Sequence, residues 1–371
     1  MIDEAAVREA LVGVIDPEIR RSVVELDMVR EVGVADSRVD VTIALTVAGC
    51  PMKADLEQQV RERVSAVAGV ATVVVHFDVM TAEQKSALRQ RLHGPAAAEG
   101  EKRTIALDRK TRVIAVASGK GGVGKSTLTA NLAAALALGG AEVGVIDADV
   151  YGYSIPRMLG ISRRPVAVDG MMVPPVAHDL KLMSIGFFTD NDAAVVWRGP
   201  MLHRALEQFL ADVHWGALDY LVVDMPPGTG DISISLGQLL PEPDLVLVTT
   251  PQPAAQKVAM RAAEVAGKTG MRVAAVVENM SHLVCPCCGE ISRPFGEGGG
   301  RRLASDLGVP LLGEVPIEEP LRVAADDGTP LVIADPDAPS ARAISAIAAA
   351  LPGVLRPRAG AERIHTPLSV V

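Results

Sequence analysis

The segment that most constrains the fold of this chain is a glycine-rich loop that follows an apolar run. Val113 to Ala117 leads into Gly119-Lys120-Gly121-Gly122-Val123-Gly124-Lys125-Ser126-Thr127, and a helical pattern covers Leu128 to Leu138. The loop matches G-x-x-x-x-G-K-[ST], and a position between a strand and a helix is the one that a phosphate-binding loop requires. Its glycines let backbone N–H groups converge on phosphate oxygens, while the helix presents its positive end. The sequence therefore predicts a strand, a loop and a helix arranged around a nucleoside triphosphate.

Two side chains at the helix start separate this prediction from a dinucleotide site. Gly119, Gly121 and Gly124 also satisfy G-x-G-x-x-G, and Asp147 follows about 20 residues later. A nicotinamide dinucleotide does not need the Lys125-Ser126 pair, whereas a triphosphate uses the lysine to neutralise its β and γ phosphates and the hydroxyl to ligate Mg2+. We predict that ATP and Mg2+ bind to Gly119, Lys120, Gly121, Gly122, Val123, Gly124, Lys125, Ser126 and Thr127, with Ser126 as the Mg2+ ligand.

Two further apolar runs end in carboxylates. Leu221-Val222-Val223-Asp224 places an acid beside the expected Mg2+, although an aspartate at a strand end can also cap a turn. Val145-Ile146-Asp147-Ala148-Asp149 ends in two acids, and either of them could position the attacking water. We favour Asp149 for the water. Lys125, Asp149 and Asp224 are therefore predicted catalytic residues of an ATPase.

The pattern of apolar runs predicts the fold class and the domain boundaries. Residues 1–92 carry short elements in the order helix, two strands, helix, strand, helix, which indicates a small α+β domain. Residues 93–110 are charged and lack hydrophobic periodicity, so we expect a linker. From 111 to 355, continuous apolar runs predict a mostly parallel, doubly wound α/β sheet of the P-loop NTPase kind, and 356–371 a tail. The predicted strands of this sheet are Val113 to Ala117, Val143 to Ile146, Leu221 to Val223, Leu245 to Val248 and Val273 to Val277.

The composition limits the classes of partner. A formal net charge of −9 at pH 7 argues against a nucleic-acid-binding surface. The acidic start Met1-Ile2-Asp3-Glu4 does not lead into the apolar segment of a secretory signal, and no stretch reaches the roughly 18 apolar residues that span a bilayer. Three of the 4 cysteines lie between positions 285 and 288, which favours a reducing compartment over a disulfide framework. We expect a soluble, cytoplasmic protein that docks on neither nucleic acid nor membrane.

The position of Lys120 adds a resemblance to a known class of ATPases. With a lysine directly after the first glycine, the loop resembles the deviant Walker A loop of the class that includes MinD, ParA, the arsenite ATPase and the nitrogenase iron protein. In that class the early lysine reaches the phosphates of the partner subunit across a nucleotide-sandwich dimer. The resemblance implies a homodimer in which Lys120 is catalytic in trans. The alternative is that Lys120 is one more basic contact to the phosphates.

Within that class, residues 110–350 resemble the Mrp-type iron-sulfur carrier ATPases. The resemblance rests on Asp147 to Pro156, Asp224 to Asp231, Thr249-Thr250-Pro251-Gln252 and Val277-Glu278-Asn279-Met280-Ser281, and it implies that Asn279 contacts the adenine. Asp16-Pro17-Glu18-Ile19 and Ala48-Gly49-Cys50-Pro51 resemble the MIP18-type domain that often precedes this ATPase. Two positions depart from the family pattern: Tyr153 replaces the usual proline, and Val258 stands where an acidic residue is expected.

The cysteine cluster predicts half of a metal site. Cys285 and Cys288 form one C-x-x-C pair, whereas a tetrahedral zinc site or a four-iron cluster usually needs four protein ligands. Since Lys120 already implies a dimer, we expect Cys285 and Cys288 from each of two subunits to hold a [4Fe-4S] cluster on the twofold axis. A structural zinc knuckle and a redox dithiol stay open as alternatives. The roles of Cys50 and Cys287 also stay open.

Three functions are compatible with these residues. The first is an ATP-dependent carrier that receives a cluster from assembly factors and transfers it to apo-proteins, with slow hydrolysis resetting the dimer. The second is a ParA- or MinD-like positioning ATPase, but the tail is not a basic amphipathic helix and the cysteines would have no role. The third is an electron-transfer ATPase that resembles the nitrogenase iron protein. We favour the carrier.

Overall fold

The computed structural model describes residues 2–47, 52–93, 107–108, 110–150, 152–188, 199–228, 231–285 and 287–357. Most of the predicted linker, Cys50 with its neighbours 48–51, and most of the predicted tail lie outside these ranges. Contacts divide the chain into two units. The first unit takes Met1–Glu101, Pro165–Pro174 and Asp212–His214, and the second takes Lys102–Arg164, Pro175–Ala211 and Trp215–Val371.

The strands are β1 (Val29–Ala35), β2 (Arg38–Leu45), β3 (Thr72–Val79), β4 (Arg112–Ser118), β5 (Val143–Asp147), β6 (Val166–Val168), β7 (Met171–Val173), β8 (Val176–Ala177), β9 (Leu180–Ser184), β10 (Tyr220–Asp224), β11 (Asp244–Thr249), β12 (Arg272–Val284), β13 (Ile291–Ser292) and β14 (Leu311–Ile317). The helices are α1 (Glu4–Val12), α2 (Lys53–Ser65), α3 (Ala82–His93), α4 (Lys125–Leu138), α5 (Ile155–Met158), α6 (Gly199–Ala211), α7 (Asp231–Leu239), α8 (Pro253–Lys268), α9 (Gly299–Leu307), α10 (Glu319–Asp326), α11 (Leu331–Ala334) and α12 (Pro339–Ala350), with short 3-10 helices at Ile185–Phe188 and Leu351–Gly353.

The first unit is built on a three-stranded sheet with β2 in the centre. β1 pairs antiparallel with β2, and β3 pairs parallel with it. Leu56, Val60 and Val64 of α2 recur every fourth residue and therefore share one helix face, which packs into the same core as alternate residues of β2. The hairpin of β6 and β7 adds its apolar residues to this core. The element order over α1, β1, β2, α2, β3 and α3 is the one that the sequence predicts.

The second unit is a doubly wound sheet in the order β13-β12-β11-β4-β10-β5-β9-β8, with β14 paired to β12. The central pairs are parallel, while β8 and β13 pair antiparallel with β9 and β12. Successive residues of β11 face different cores: Val246 and Val248 pack in the cluster of α4 and α12, and Leu247 in that of α8 and α9. Helices therefore cover both faces, which explains the continuous apolar runs. The predicted α/β fold class is confirmed.

The structure also differs from the predicted element bounds. α4 begins at Lys125 rather than Leu128, because Gly124 adopts φ +78° and starts the helix directly after the loop. β12 extends to Val284 rather than ending at Val277. Beyond Glu278 the strand runs past the end of β11 and pairs with β13 and β14, and it lacks the apolar run that marked its first half. Strands β9 and β14 are not among the predicted strands.

The carboxyl ends of five parallel strands meet at one edge of this sheet. β4 leads there into the glycine-rich loop, β5 ends at Asp147, and β10 ends at Asp224, which lies beside Asp147 in register. β11 leads into Gln252, and β12 passes this edge at Asn279. Ligands of open parallel sheets bind at this edge. Within the described ranges, no helix combines the length and the apolar character that crossing a bilayer requires.

Candidate functional site

Two glycines of the loop are required by close packing. A Cβ added to Gly119 would lie 2.3 Å from the backbone N of Ala259 in α8, so no other residue fits without moving that helix or the loop. A Cβ added to Gly124 would lie 2.2 Å from Nδ2 of Asn279, and the φ of +78° disfavours side chains as well. These glycines fix where the loop sits against the rest of the unit.

Two other glycines leave the inner face of the loop open. A Cβ added to Gly121 or Gly122 would meet nothing within 4 Å, and both residues are exposed. Gly122 has a φ of +79°, a conformation that favours glycine. This stretch is therefore open to an approaching anion, and contact of its backbone N–H groups with phosphate stays a prediction.

Lys125, Ser126 and Asp224 meet in one network, as the sequence predicts. The ammonium of Lys125 donates to Oδ2 of Asp224 at 2.7 Å, and the hydroxyl of Ser126 donates to the same oxygen at 2.6 Å. Asp149 lies nearby, with its Oδ2 3.7 Å from Nζ of Lys125. Because Asp224 is fully buried, these partners satisfy a carboxylate that water does not reach. Hydroxyl and carboxylate oxygens are the ligands that Mg2+ prefers, so Ser126 and Asp224 fit the predicted metal.

Thr129 is a member of this network that the sequence analysis missed. Its hydroxyl donates to Oδ1 of Asp224 at 2.8 Å and also lies 2.9 Å from the carbonyl oxygen of Lys125. The signal was available, because a residue four positions after Lys125 lies one helical turn further on the same face of α4. Thr127 lies outside this network: its carbonyl oxygen accepts a hydrogen bond from Nδ2 of Asn131 at 3.0 Å.

Lys120 lies apart from the network around Asp224. Its ammonium donates to Oε1 of Gln252 at 3.0 Å, and its carbonyl oxygen accepts from the hydroxyl of Ser118 at 3.0 Å. Val258, which departs from the family pattern, brings its backbone against Gly119. Lys120 is thus held within its own chain by a neutral side chain, and its action in trans stays a prediction.

Asn279 and Glu278 connect β12 to two other parts of the site. Nδ2 of Asn279 donates to the carbonyl oxygen of Val123 at 2.8 Å, so the side chain holds the glycine-rich loop. Contact with an adenine stays a prediction. Oε2 of Glu278 accepts from the N–H of Gly300 at the start of α9, and burial raises the pKa of this carboxyl. This strand therefore binds the nucleotide loop on one side and α9 on the other.

The cysteines lie at the tip of a hairpin formed by β12 and β13. The N–H of Cys285 donates to the carbonyl oxygen of Glu290 at 2.9 Å, and Gly289 N–H donates to that of Cys285 at 2.8 Å. Cys287 and Cys288 are exposed, Cys285 is half-buried, and all three are free thiols. Hydrogen bonds from the backbone N–H of Cys288 and then of Cys287 lower the pKa of the Cys285 thiol. This hairpin therefore presents thiols that metal can reach.

The part of the chain that the structure describes holds no cluster of three or more His, Cys, Asp and Glu side chains that could bind a metal. The C-x-x-C pair therefore has no third ligand among those residues. His282, which precedes the hairpin tip, pairs its Nδ1 with the hydroxyl of Ser281 at 2.9 Å.

In the first unit, Oδ1 of Asp16 accepts hydrogen bonds from the N–H groups of Glu18 and Ile19, both at 2.9 Å, so the Asp-Pro-Glu-Ile motif forms a turn.

Comparison with known proteins identifies both units. Residues 109–352 match the family described as NUBPL iron-transfer P-loop NTPase, and residues 4–75 match the family described as iron-sulfur cluster assembly protein. A relative from Mycobacterium bovis, named iron-sulfur cluster carrier protein, is 51% identical over 351 residues, which are 93% of this chain and 92% of the relative. A relative of the same name from Synechocystis is 42% identical over 95% of this chain and 98% of its own length.

A solved structure shows the same fold with nucleotide bound. The nucleotide-binding protein from Archaeoglobus fulgidus in complex with ADP is 38% identical, with a TM-score of 0.51, and the match covers 58% of this chain and 86% of that chain. The likeness agrees with the ligand that the glycine-rich loop predicts. By its motif, its fold and its relatives over nearly the whole length, this chain belongs to the NUBPL iron-transfer P-loop NTPase family.

Proposed function

We propose that this chain is an ATP-hydrolysing carrier that binds an iron-sulfur cluster between two subunits and transfers it to apo-proteins. The observation that carries the proposal is the hairpin of β12 and β13, whose tip presents the half-buried Cys285 and the exposed Cys288 as a pair without a third ligand in the described residues. A pair of thiolates that lacks further ligands suits a cargo that must be released. The free thiols also suit a reducing compartment such as the cytoplasm.

The surroundings of the hairpin support a second copy of this chain as the source of the missing ligands. Leu283, Val284, Ile291 and Phe295 are large apolar residues that are each more than a third exposed, and they flank the cysteines. Apolar side chains beside a half-complete metal site are expected where two identical surfaces meet. Two subunits related by a twofold axis would supply four thiolates, the number that a [4Fe-4S] cluster usually takes from protein.

The nucleotide site supports hydrolysis through residues that are already close together. On ATP binding, the ammonium of Lys125 would exchange Asp224 for phosphate oxygens, while the N–H groups of Gly121 and Gly122 would meet the same phosphates. Mg2+ held by Ser126 and Asp224 would neutralise charge on the transferred phosphoryl group. Asp149 would position the attacking water. Release of Lys120 from Gln252 would let it reach the partner's nucleotide.

One strand, β12, connects the nucleotide site to the cysteine hairpin. β12 holds the glycine-rich loop through Asn279 and extends, past an irregularity at Met280 (φ +56°), to Val284, the residue before Cys285. A shift of the loop on nucleotide binding or hydrolysis would therefore act on the same backbone that carries the cluster ligands. Retention of the cluster then depends on the nucleotide state of the dimer, which is the coupling that a carrier requires.

The test is anaerobic reconstitution of the purified protein with iron and sulfide. Wild type and a Cys287→Ala control should bind about four irons per dimer. The Cys285→Ala/Cys288→Ala variant should bind none and should keep its affinity for ADP. Iron content, absorbance and size are measured together, followed by transfer to an apo-protein. A wild type that binds no iron, or a double variant that binds as much, would contradict the proposal and favour a positioning ATPase.

A further inference from the structure

The proposed mechanism of ATP hydrolysis gives no role to the buried carboxylate of Asp147. Asp147 ends β5 beside Asp224 and is fully buried. Both of its oxygens accept hydrogen bonds: Oδ2 from the N–H of Ser154 at 3.1 Å, the N–H of Ile155 at 3.2 Å and the hydroxyl of Ser184 at 3.1 Å, and Oδ1 from the N–H of Asp149 at 3.3 Å. Oδ2 is thus fully used within the protein, and Oδ1 accepts from the N–H of the residue proposed to position the water.

The donors to Asp147 lie at the two ends of the loop that carries Asp149. One donor is Asp149 itself, and Ser154 and Ile155 close the loop at the start of α5. The N–H of Ala148 adds a bond to the carbonyl oxygen of Asp224 at 3.0 Å. The loop is therefore tied at its beginning to β10 and at its end to β5. These ties place the Asp149 carboxylate beside the ammonium of Lys125.

The same carboxylate fixes the neighbouring segment after β9. The hydroxyl of Ser184 donates to Asp147 and accepts from the N–H of Gly186 at 3.1 Å. The ring of Tyr153 lies against Gly186, since a Cβ added there would be 2.4 Å from Cδ2 of the ring. Tyr153 thus packs on a segment that Asp147 holds. This contact holds the tyrosine against the segment that follows β9.

We propose that Asp147 is a positioning residue for ATP hydrolysis: it holds Asp149 and the Ser154-Ile155 pair through their N–H groups, and so sets the place of Asp149, without touching the nucleotide. The inference rests on the proposed role of Asp149 in positioning water. It assigns different tasks to the two aspartates at the end of β5, whereas from the sequence alone Asp149 is favoured for the water and Asp147 has no role of its own. Asp147 acts on the geometry of the loop, and Asp149 acts on the water.

The test compares Asp147→Asn and Ser184→Ala with wild type in steady-state ATP hydrolysis. A misplacement of about 1 Å can lower a rate by about 100-fold, so we expect kcat of Asp147→Asn to fall by about 10- to 100-fold. KM for ATP and the affinity for ADP should change by less than about threefold, because none of the hydrogen bonds described for Asp147 goes to Lys125 or to the glycine-rich loop. Ser184→Ala removes one of the donors and should lower kcat in the same direction by less.

A double-mutant cycle separates positioning through Asp149 from a role in stability alone. On an Asp149→Asn background, Asp147→Asn should lower kcat by less than about threefold, because the group that it positions is already gone. Equal losses in both backgrounds, an unchanged kcat, or a loss of ADP affinity as large as that of kcat would overturn the inference. If Asp147→Asn does not fold, the cycle is run with Ser184→Ala.

The proposed function and this inference fail in different ways. Failure of the inference leaves wild-type hydrolysis and the iron content of reconstituted protein intact. If the carrier proposal fails, no iron is found at Cys285 and Cys288. The kinetic double-mutant cycle can still be interpreted in that case. Iron content is therefore measured on every variant alongside kcat.

Discussion

Replacement of Gly119 by alanine should lower the stability of the nucleotide-free protein. The new Cβ would lie 2.3 Å from the backbone N of Ala259, 2.4 Å from the carbonyl carbon of Val258 and 2.8 Å from Cα of Ala259. All three atoms belong to the backbone, so no side-chain rotation relieves the overlap. To restore ordinary contact, the loop and α8 must separate by about 1 Å.

The magnitude follows from the cost of overpacking a well-packed interior, which is about 1–3 kcal/mol. In a domain of this size each kcal/mol lowers Tm by about 2–4 °C, so we expect a fall of about 2–12 °C. Thermal unfolding of the nucleotide-free protein, followed by circular dichroism, measures it. ADP binding should weaken too, because the loop that receives the phosphates has moved.

Gly121→Ala is the matched control in the same loop. A Cβ at Gly121 meets nothing within 4 Å, so Tm should stay within about 1–2 °C of wild type, as for an ordinary surface substitution. The methyl group lies on the open face that the phosphates are expected to approach, so ADP affinity should fall. Equal Tm values for Gly119→Ala and wild type, or an equal loss of Tm in both variants, would refute the reasoning from loop packing.

Three further predictions use groups around the same edge of the sheet. Burial, and then the charge of Asp224, raise the pKa of Asp147 from 3.8 to about 7. The folded wild type therefore loses stability as the pH rises through about 4 to 7. The free energies of unfolding of Asp147→Asn and of wild type are measured by denaturation at pH 5 and pH 8. From pH 5 to pH 8, the difference between the two should change by about 2–3 kcal/mol in favour of the variant, and a constant difference would contradict this. Thr129→Val should lower the free energy of unfolding by about 1–3 kcal/mol in urea, because it deprives the buried Asp224 carboxylate of a donor; an unchanged midpoint would show that the bond is dispensable. Gln252→Glu should hold the Lys120 ammonium more tightly by about 0.3–1 kcal/mol. Light scattering should then show the ATP-dependent dimer weakened by about two- to fivefold, whereas Gln252→Ala should not weaken it. A tighter dimer in the glutamate variant would refute that last prediction.

The sequence predicts those parts of the site in which the residue type and its position in a motif allow a single role. The strand, loop and helix around Lys125 follow from the motif, and Asp224 follows from an apolar run that ends in an acid. Strand β9 escaped prediction because Lys181 interrupts its apolar pattern. In the structure this lysine is buried and donates to the carbonyl oxygen of Trp215 at 2.7 Å, a partner that only tertiary contact provides. The bond between Lys120 and Gln252 is also beyond local reasoning, since the two residues are 132 positions apart.

The single strand that joins Asn279 to Cys285 restricts how the length of this chain can vary among its relatives. Side chains of a strand alternate between its faces, so one inserted residue between Leu283 and Val284 would turn the cysteine hairpin to the opposite face of the sheet. Two inserted residues would restore the face and displace the thiols along the strand by about 6.6 Å. Insertions here should therefore be rare, and those that persist should come in pairs. An insertion into a loop elsewhere in the second unit is not restricted to an even number of residues in this way.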